Sequence, residues 1–371
     1  MRLRKEVTIE SFKKGTSSLP IISSALDRRR VRSIESSTGY LTFQLEEICF
    51  RGRRAVQIGN EFIRLTITVE GGHIAEILEK GSGVNPLWIP PWPSIEPSLY
   101  SSDQHTEYGA GAEAKLLAGI MGHNTCLDLF GPPSAEEERA GLTVHGEASV
   151  LPYEFETTAH GLTAKCTLPS SQLAFERRLE LDGRKILISE TVENLSALDR
   201  PIAWTQHVTL GPPFLKCGVT QFRAPAAPKD FATYADVPSS GGYTTHLLDP
   251  TRERAWFFAY SPASQVLLGY VWRRNDFPWL GIWEENCSRT QAPWNGRTLA
   301  RGMEFGVSPF PETRRAMIER QKLLDTACYR WLPARARLDV DYYAAVAPAA
   351  AIPETVEEFE STLSSSCLTK I

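Results

Sequence analysis

The sequence predicts an all-β protein, a large β-sandwich with few short helices, and three observations carry that expectation. Apolar and polar residues alternate with period two in run after run, as a strand with one covered face requires. Turn-forming residues separate the runs at short intervals. Helical periodicity is weak, with residues 112–121 and 312–327 as the best short candidates. Many short strands and few helices are the pattern of a sandwich.

In chain order, residues 1–35 stand apart. They are rich in Lys and Arg and broken by Gly15 and Pro20, which reads as a flexible extension or as a basic tail for anions or targeting. The sandwich is expected over residues 36–347. Residues 61–69 alternate cleanly, and residues 173–179, 185–192, 255–260, 265–272 and 336–343 read as further strands. Asp182-Gly183, Glu193-Asn194, Asp199-Arg200-Pro201 and Ser239-Ser240-Gly241-Gly242 supply turns. Residues 348–371, with four glutamates, read as a docked tail or a short helix.

Composition narrows the function classes. A content of 42% hydrophobic residues over 371 positions is enough for a large core. A formal net charge of −4 is too small to draw the chain to nucleic acid or an anionic membrane. No run of eighteen apolar residues occurs, so no membrane-spanning helix is expected. The N-terminus lacks the apolar centre of a secretory signal. Seven dispersed cysteines with no Cys-x-x-Cys pair favour free thiols over disulfides or a structural zinc. A cytoplasmic location follows as the expectation.

Four segments can carry chemistry. Residues 122–148 hold His123, Asn124 and the pair His145-Gly146, whose glycine- and proline-rich surroundings put His145 on a loop or strand edge, to hold a hydroxyl or to brace the loop. Residues 200–213 end a strand in His207 before Gly211-Pro212-Pro213; a histidine facing a cleft there suits proton transfer near neutrality. Residues 278–286 carry Trp279, Trp283, Glu284 and Glu285; adjacent strand residues point to opposite faces, so one glutamate can face a pocket. Residues 85–93 form a stiff proline-rich stretch whose Trp88 and Trp92 can wall a cleft or cap the sandwich.

Taken in order over residues 55–345, these segments resemble the aldose 1-epimerase, or galactose mutarotase-like, superfamily. The matching stretches are residues 69–77 with their Gly71-Gly72 turn, His145-Gly146, Glu193-Asn194 followed by His207, and residues 283–286 followed by residues 301–305. The resemblance implies a galactose mutarotase-like supersandwich that interconverts the α and β anomers of an aldose. It makes His207 the general acid and Glu284 the base, with Glu285 as the backup. His145 and His123 would hold hydroxyls, Trp88, Trp92 and Trp283 would line the pocket, and Asp249 is a further sugar-binding candidate. It implies a small sugar as partner and needs neither a metal nor an organic cofactor, and the oligomeric state stays open. Where the family usually places an arginine after its His-Gly pair, this chain has Glu147-Ala148-Ser149. A non-catalytic carbohydrate-binding protein is therefore one alternative. A glycoside hydrolase or lyase, with Glu147 and Glu284 as its carboxylates, is another.

Overall fold

The computed structural model describes residues 45–225, 234 and 237–365. The chain divides into two units, residues 1–37 and 38–371. The first, with the basic stretch, lies outside the described residues.

Twenty strands follow one another among the described residues. They are β1 Glu46–Phe50, β2 Arg53–Gly59, β3 Ile63–Thr68, β4 Ile74–Glu79, β5 His123–Asp128, β6 Glu154–Thr157, β7 Gly161–Leu168, β8 Leu173–Asp182, β9 Lys185–Asn194 and β10 Arg200–Leu210, then β11 Gln221–Arg223, β12 Ser240–Leu247, β13 Arg254–Ser261, β14 Val266–Arg273, β15 Trp279–Asn286, β16 Leu299–Gly306, β17 Lys322–Leu323, β18 Thr326–Ala327, β19 Arg330–Leu332 and β20 Arg337–Pro348. The α-helices are short: α1 Ala114–Leu117, α2 Ala135–Arg139, α3 Arg314–Arg320 and α4 Val356–Ser365. None is long and apolar enough to cross a membrane.

Two antiparallel sheets face each other. One runs β1-β2-β3-β4-β5-β10-β16-β15-β12, with β19 pairing β10; the other runs β11-β13-β14-β20-β9-β8-β7-β6. Each strand gives alternate residues to the space between them. Leu65, Ile67, Trp204, Val208, Ile282 and Phe305 from the first sheet meet Phe175, Ile188, Val192, Phe257, Leu268 and Tyr342 from the second. Trp272 and Phe305 stack across the gap, their centroids 4.1 Å apart at 15°.

Residues 255–260 break the polar–apolar alternation because both of their faces are covered. Phe257 and Ala259 enter the sandwich, while Trp256, Phe258 and Tyr260 pack beneath α4. That helix offers Val356, Phe359 and Leu363 on one face, at spacings of three and four residues. The tail after Pro348 thus carries a docked helix. Residues 312–327, read as one helical candidate, divide into α3 and the two-residue strands β17 and β18.

A buried polar cluster ties the two sheets together. Arg177 on β8 and Glu190 on β9 pair at 2.8 Å, both almost wholly enclosed. Glu190 also accepts from Trp204 Nε1 at 3.2 Å, Gln206 Nε2 at 2.6 Å and the Tyr342 hydroxyl at 2.8 Å. Arg177 donates to the Gly72 carbonyl at 3.1 Å and to the Thr125 hydroxyl. Fixing Trp204 and Gln206 inward forces their neighbours Thr205 and His207 outward, because a one-residue slip would exchange the two sets.

Candidate active site

On β10, β15 and β16 the residues that do not fill the sandwich point to the opposite face of the sheet. There His207, Thr209, Glu304 and Trp283 line a cavity of about 750 Å³, closed at its sides by His145, Trp88 and α1.

His207 and Glu304 are direct cross-strand partners in the β10–β16 register. The His207 Nε2 lies 3.0 Å from Glu304 Oε1, and both side chains are nearly buried, 9% and 3% exposed. His207 Nδ1 meets the Thr209 hydroxyl at 3.0 Å, a group that can donate to a neutral ring or accept from a protonated one. Gly302, two residues before Glu304, leaves room for that carboxylate, since a Cβ at 302 would crowd Oε1.

His145 approaches from the loop after β5, its ring centroid 4.7 Å from that of His207. Its backbone φ is 69° and that of Gly146 is 78°, a left-handed pair that turns the chain back toward the sheet. Only glycine fits at 146, where a Cβ would strike the Leu127 carbonyl oxygen. His145 Nδ1 and Asn124 Oδ1 are 3.3 Å apart. With Nδ1–H donating there, Nε2 is left as an acceptor for a hydroxyl in the cavity. Burial above all holds the His145 pKa well below its ordinary value, so it stays a neutral ring.

Aromatic and aliphatic side chains form the opposite wall. Trp88 and Trp294 stack with centroids 6.2 Å apart, and Trp283 meets Trp294 edge-on at 5.9 Å. Leu116, Leu117, Ile120 and Val144 complete it. The Arg289 guanidinium sits 4.6 Å over Trp294 and pairs with Glu285 at 3.5 Å and Glu113 at 4.0 Å.

The structure places His207, His145, Trp88, Trp283, Glu284 and Glu285 at this cavity, but two of the carboxylates are committed elsewhere. Glu284 shares its strand face with Leu280 and Ile282, the sandwich side, and pairs with the buried Arg301 at 2.7 Å. Glu285 lies on the Trp283 face, yet its oxygens accept from Ser288 N and Oγ and from Arg289 N at 2.5–3.0 Å.

Three other expected residues are not among those lining the cavity. His123 points between the sheets and bonds Gln206 at 3.0 Å and Tyr270 at 3.2 Å, because odd positions of β5 face inward. Trp92 stands behind Trp88 and Trp294 and donates to the Leu117 carbonyl at 2.9 Å. Asp249 holds its own turn through Thr251 and Arg252. Glu147 caps the backbone of Ser170 and Ser171 at 3.2 and 2.9 Å, so it forms no carboxylate pair with Glu284 across the cavity. Glu304 and Thr209 were not singled out by sequence reasoning as site groups. The available signal for Glu304 was strand parity: it alternates with Met303 and Phe305, which an amphipathic reading sends inward.

Buried neutral histidines make stability depend on pH. His73 and His123, like His145, have pKa values held well below the ordinary 6.5, by burial first and then by neighbouring arginine charge. The unfolded chain binds these protons first as pH falls, so the contribution is complete above about 6.5 and is lost below it. The depressed carboxylates Glu79, Asp128 and Glu137 act only at lower pH. Denaturant midpoints measured from pH 8 to pH 5 should therefore begin to fall near 6.5, with proton uptake on unfolding rising toward three. A flat profile between pH 7 and pH 5 would contradict this.

No protein-family model matches the chain, and no curated protein matches it either. Solved structures do. A candidate aldose 1-epimerase from Klebsiella pneumoniae superposes with a TM-score of 0.66 at 14% identity, covering 89% of each chain. A galactose mutarotase-like protein from Clostridium acetobutylicum gives a TM-score of 0.55 at 11% identity over 83% of this chain and 99% of that one. Another from Lactobacillus casei gives 0.51 at 11% identity over 79% and 100%. Matched across nearly the whole length of these structures, the chain has the fold of the galactose mutarotase-like proteins.

Proposed function

We propose that the cavity interconverts the anomers of an aldose, with His207 as general acid and Glu304, rather than Glu284 or Glu285, as general base. One observation carries the reading: an imidazole and a carboxylate stand 3.0 Å apart on facing strand positions in a walled cavity. A hemiacetal carbon bears two oxygens side by side, and the reaction needs a base at one and an acid at the other.

The steps balance. Glu304, ionised, takes the proton from the anomeric hydroxyl. The imidazolium of His207, with Nδ1–H held by Thr209, gives its Nε2 proton to the ring oxygen. The bond from C1 to the ring oxygen breaks and leaves an open-chain aldehyde. Rotation about C1–C2 presents the other carbonyl face, and closure returns each proton to its donor. His145 accepts a hydroxyl through Nε2, and the tryptophan wall covers the C–H face of the ring.

Polarimetry of freshly dissolved α-D-glucose and α-D-galactose tests the reading. Rotation should relax faster with protein, and His207→Ala should remove the acceleration. Unchanged relaxation with ligand line broadening would instead indicate a carbohydrate-binding protein without this chemistry.

Geometry around the base gives a second expectation. Gly302→Ala should displace the Glu304 carboxylate and lower the rate by about 10²-fold, since small misplacements cost that much. Its melting temperature should stay close to that of the parent. A fully active Gly302→Ala would argue against Glu304 as the base.

A further inference from the structure

We infer that the pocket selects neutral sugars with an apolar C5 substituent, 6-deoxy-aldoses, over the parent hexoses and their 6-phosphates. The inference rests on the anomerase reading for the placement of the ring. His207 meets the ring oxygen, so the C5 substituent, on the next ring atom, falls beside it and away from Glu304. What lies beside His207 is the wall. Trp88 joins β10 at Thr209, its backbone N–H bonding the Thr209 carbonyl at 2.8 Å.

Leu116, Leu117, Ile120 and Val144 extend that wall, and none of them has a polar side-chain atom. The Thr209 hydroxyl is already bonded to His207. A methyl group would bury against these four side chains, whereas a hydroxymethyl set against them would lose its water and find no partner among them.

Charge argues the same way. Glu113, Glu284, Glu285 and Glu304 border the cavity. Arg289 is already paired with Glu285 and Glu113, and Arg301 with Glu284. A phosphate or carboxylate on the ligand would enter among carboxylates whose cations are taken.

The test uses the full chain and matched sugars: 6-deoxy-D-glucose, D-glucose and D-glucose 6-phosphate, with the corresponding D-galactose set. Anomer exchange and ligand binding are both read by NMR on the same samples. The 6-deoxy member should exceed its parent by about ten- to a hundredfold in kcat/KM, the range for one polar group against an apolar surface, and the phosphate should be neither bound nor exchanged. Ile120→Thr, which places a hydroxyl in the wall, should narrow the ratio. Parent hexoses equal to or faster than the deoxy sugars, or turnover of a phosphate, would overturn the inference. So would an unchanged ratio in Ile120→Thr, which removes the wall from the discrimination. If no sugar exchanges, the anomerase reading fails by itself. Binding then decides the inference: tighter binding of the deoxy member supports it, while equal or undetectable binding across each set overturns it.

Discussion

Replacing Glu304 by glutamine is expected to slow anomer exchange by about 10²–10⁴-fold, the range that a positioned acid or base supplies, while leaving the fold intact. Glutamine keeps the volume and can still accept from His207, but it cannot take up a proton at neutral pH. Glu284→Gln is the informative contrast. Glu284 neutralises Arg301, whose guanidinium lies against Phe222 and Tyr234, 4.2 and 5.5 Å from their ring centres. Burial pushes the Arg301 pKa down to about 10 even with Glu284 beside it. Because Glu284 is about one-third exposed, its loss should cost only about 1–2 kcal/mol of stability after solvent screening. Exchange should remain within a few-fold of the parent. Kinetics and melting curves on the two variants separate the roles, and the opposite pattern would return the base to Glu284.

The largest effect on stability is expected at Glu190. Burial opposes the charge on Arg177, but Glu190 together with Tyr342 and Tyr153 more than offsets it, raising that pKa above its ordinary value. Glu190→Gln leaves the guanidinium enclosed between the sheets with no counter-charge. Stranding one partner of a buried pair costs about 3–5 kcal/mol, or on the order of 10 °C in Tm for a domain of this size. A calorimetric Tm within two degrees of the parent would show that the cluster does not lock the sheets. Thr125 and Gln206 belong to this cluster and neighbour Asn124 and His207 in sequence, so loosening it should also lower the exchange rate.

How much of this was legible in the sequence follows from which interactions are local. Residues 61–69, 173–179 and 185–192 were readable as strands because one covered face imprints period two on the chain. Residues 255–260 were readable as a strand, but not as one covered on both faces, since the second cover, α4, lies about a hundred residues away in sequence. His207 and His145 could be noticed because a rigid turn follows one and a glycine the other. The partner of His207 could not, because the pairing of His207 with Glu304 is a property of the β10–β16 register, set by contacts between strands far apart in the chain. Glu284-Glu285 drew attention as a doublet beside tryptophans. Parity with Trp283 places Glu285 on the cavity face, but nothing local shows that the turn at Ser288 and Arg289 saturates it. His123 was misplaced for the same reason: an inward-facing histidine is invisible until Gln206 and Tyr270 are seen to receive it.

The most direct measurement is saturation transfer between the two anomeric proton signals of one accepted sugar at equilibrium, with the parent protein and Glu304→Gln at equal concentration. Only anomer exchange carries magnetisation between those signals. Transfer that grows with the concentration of the parent and falls to the uncatalysed level with Glu304→Gln is the expected result. Equal transfer with both proteins would contradict the assignment of the cross-strand pair, and transfer no faster than in buffer with the parent would contradict the activity itself.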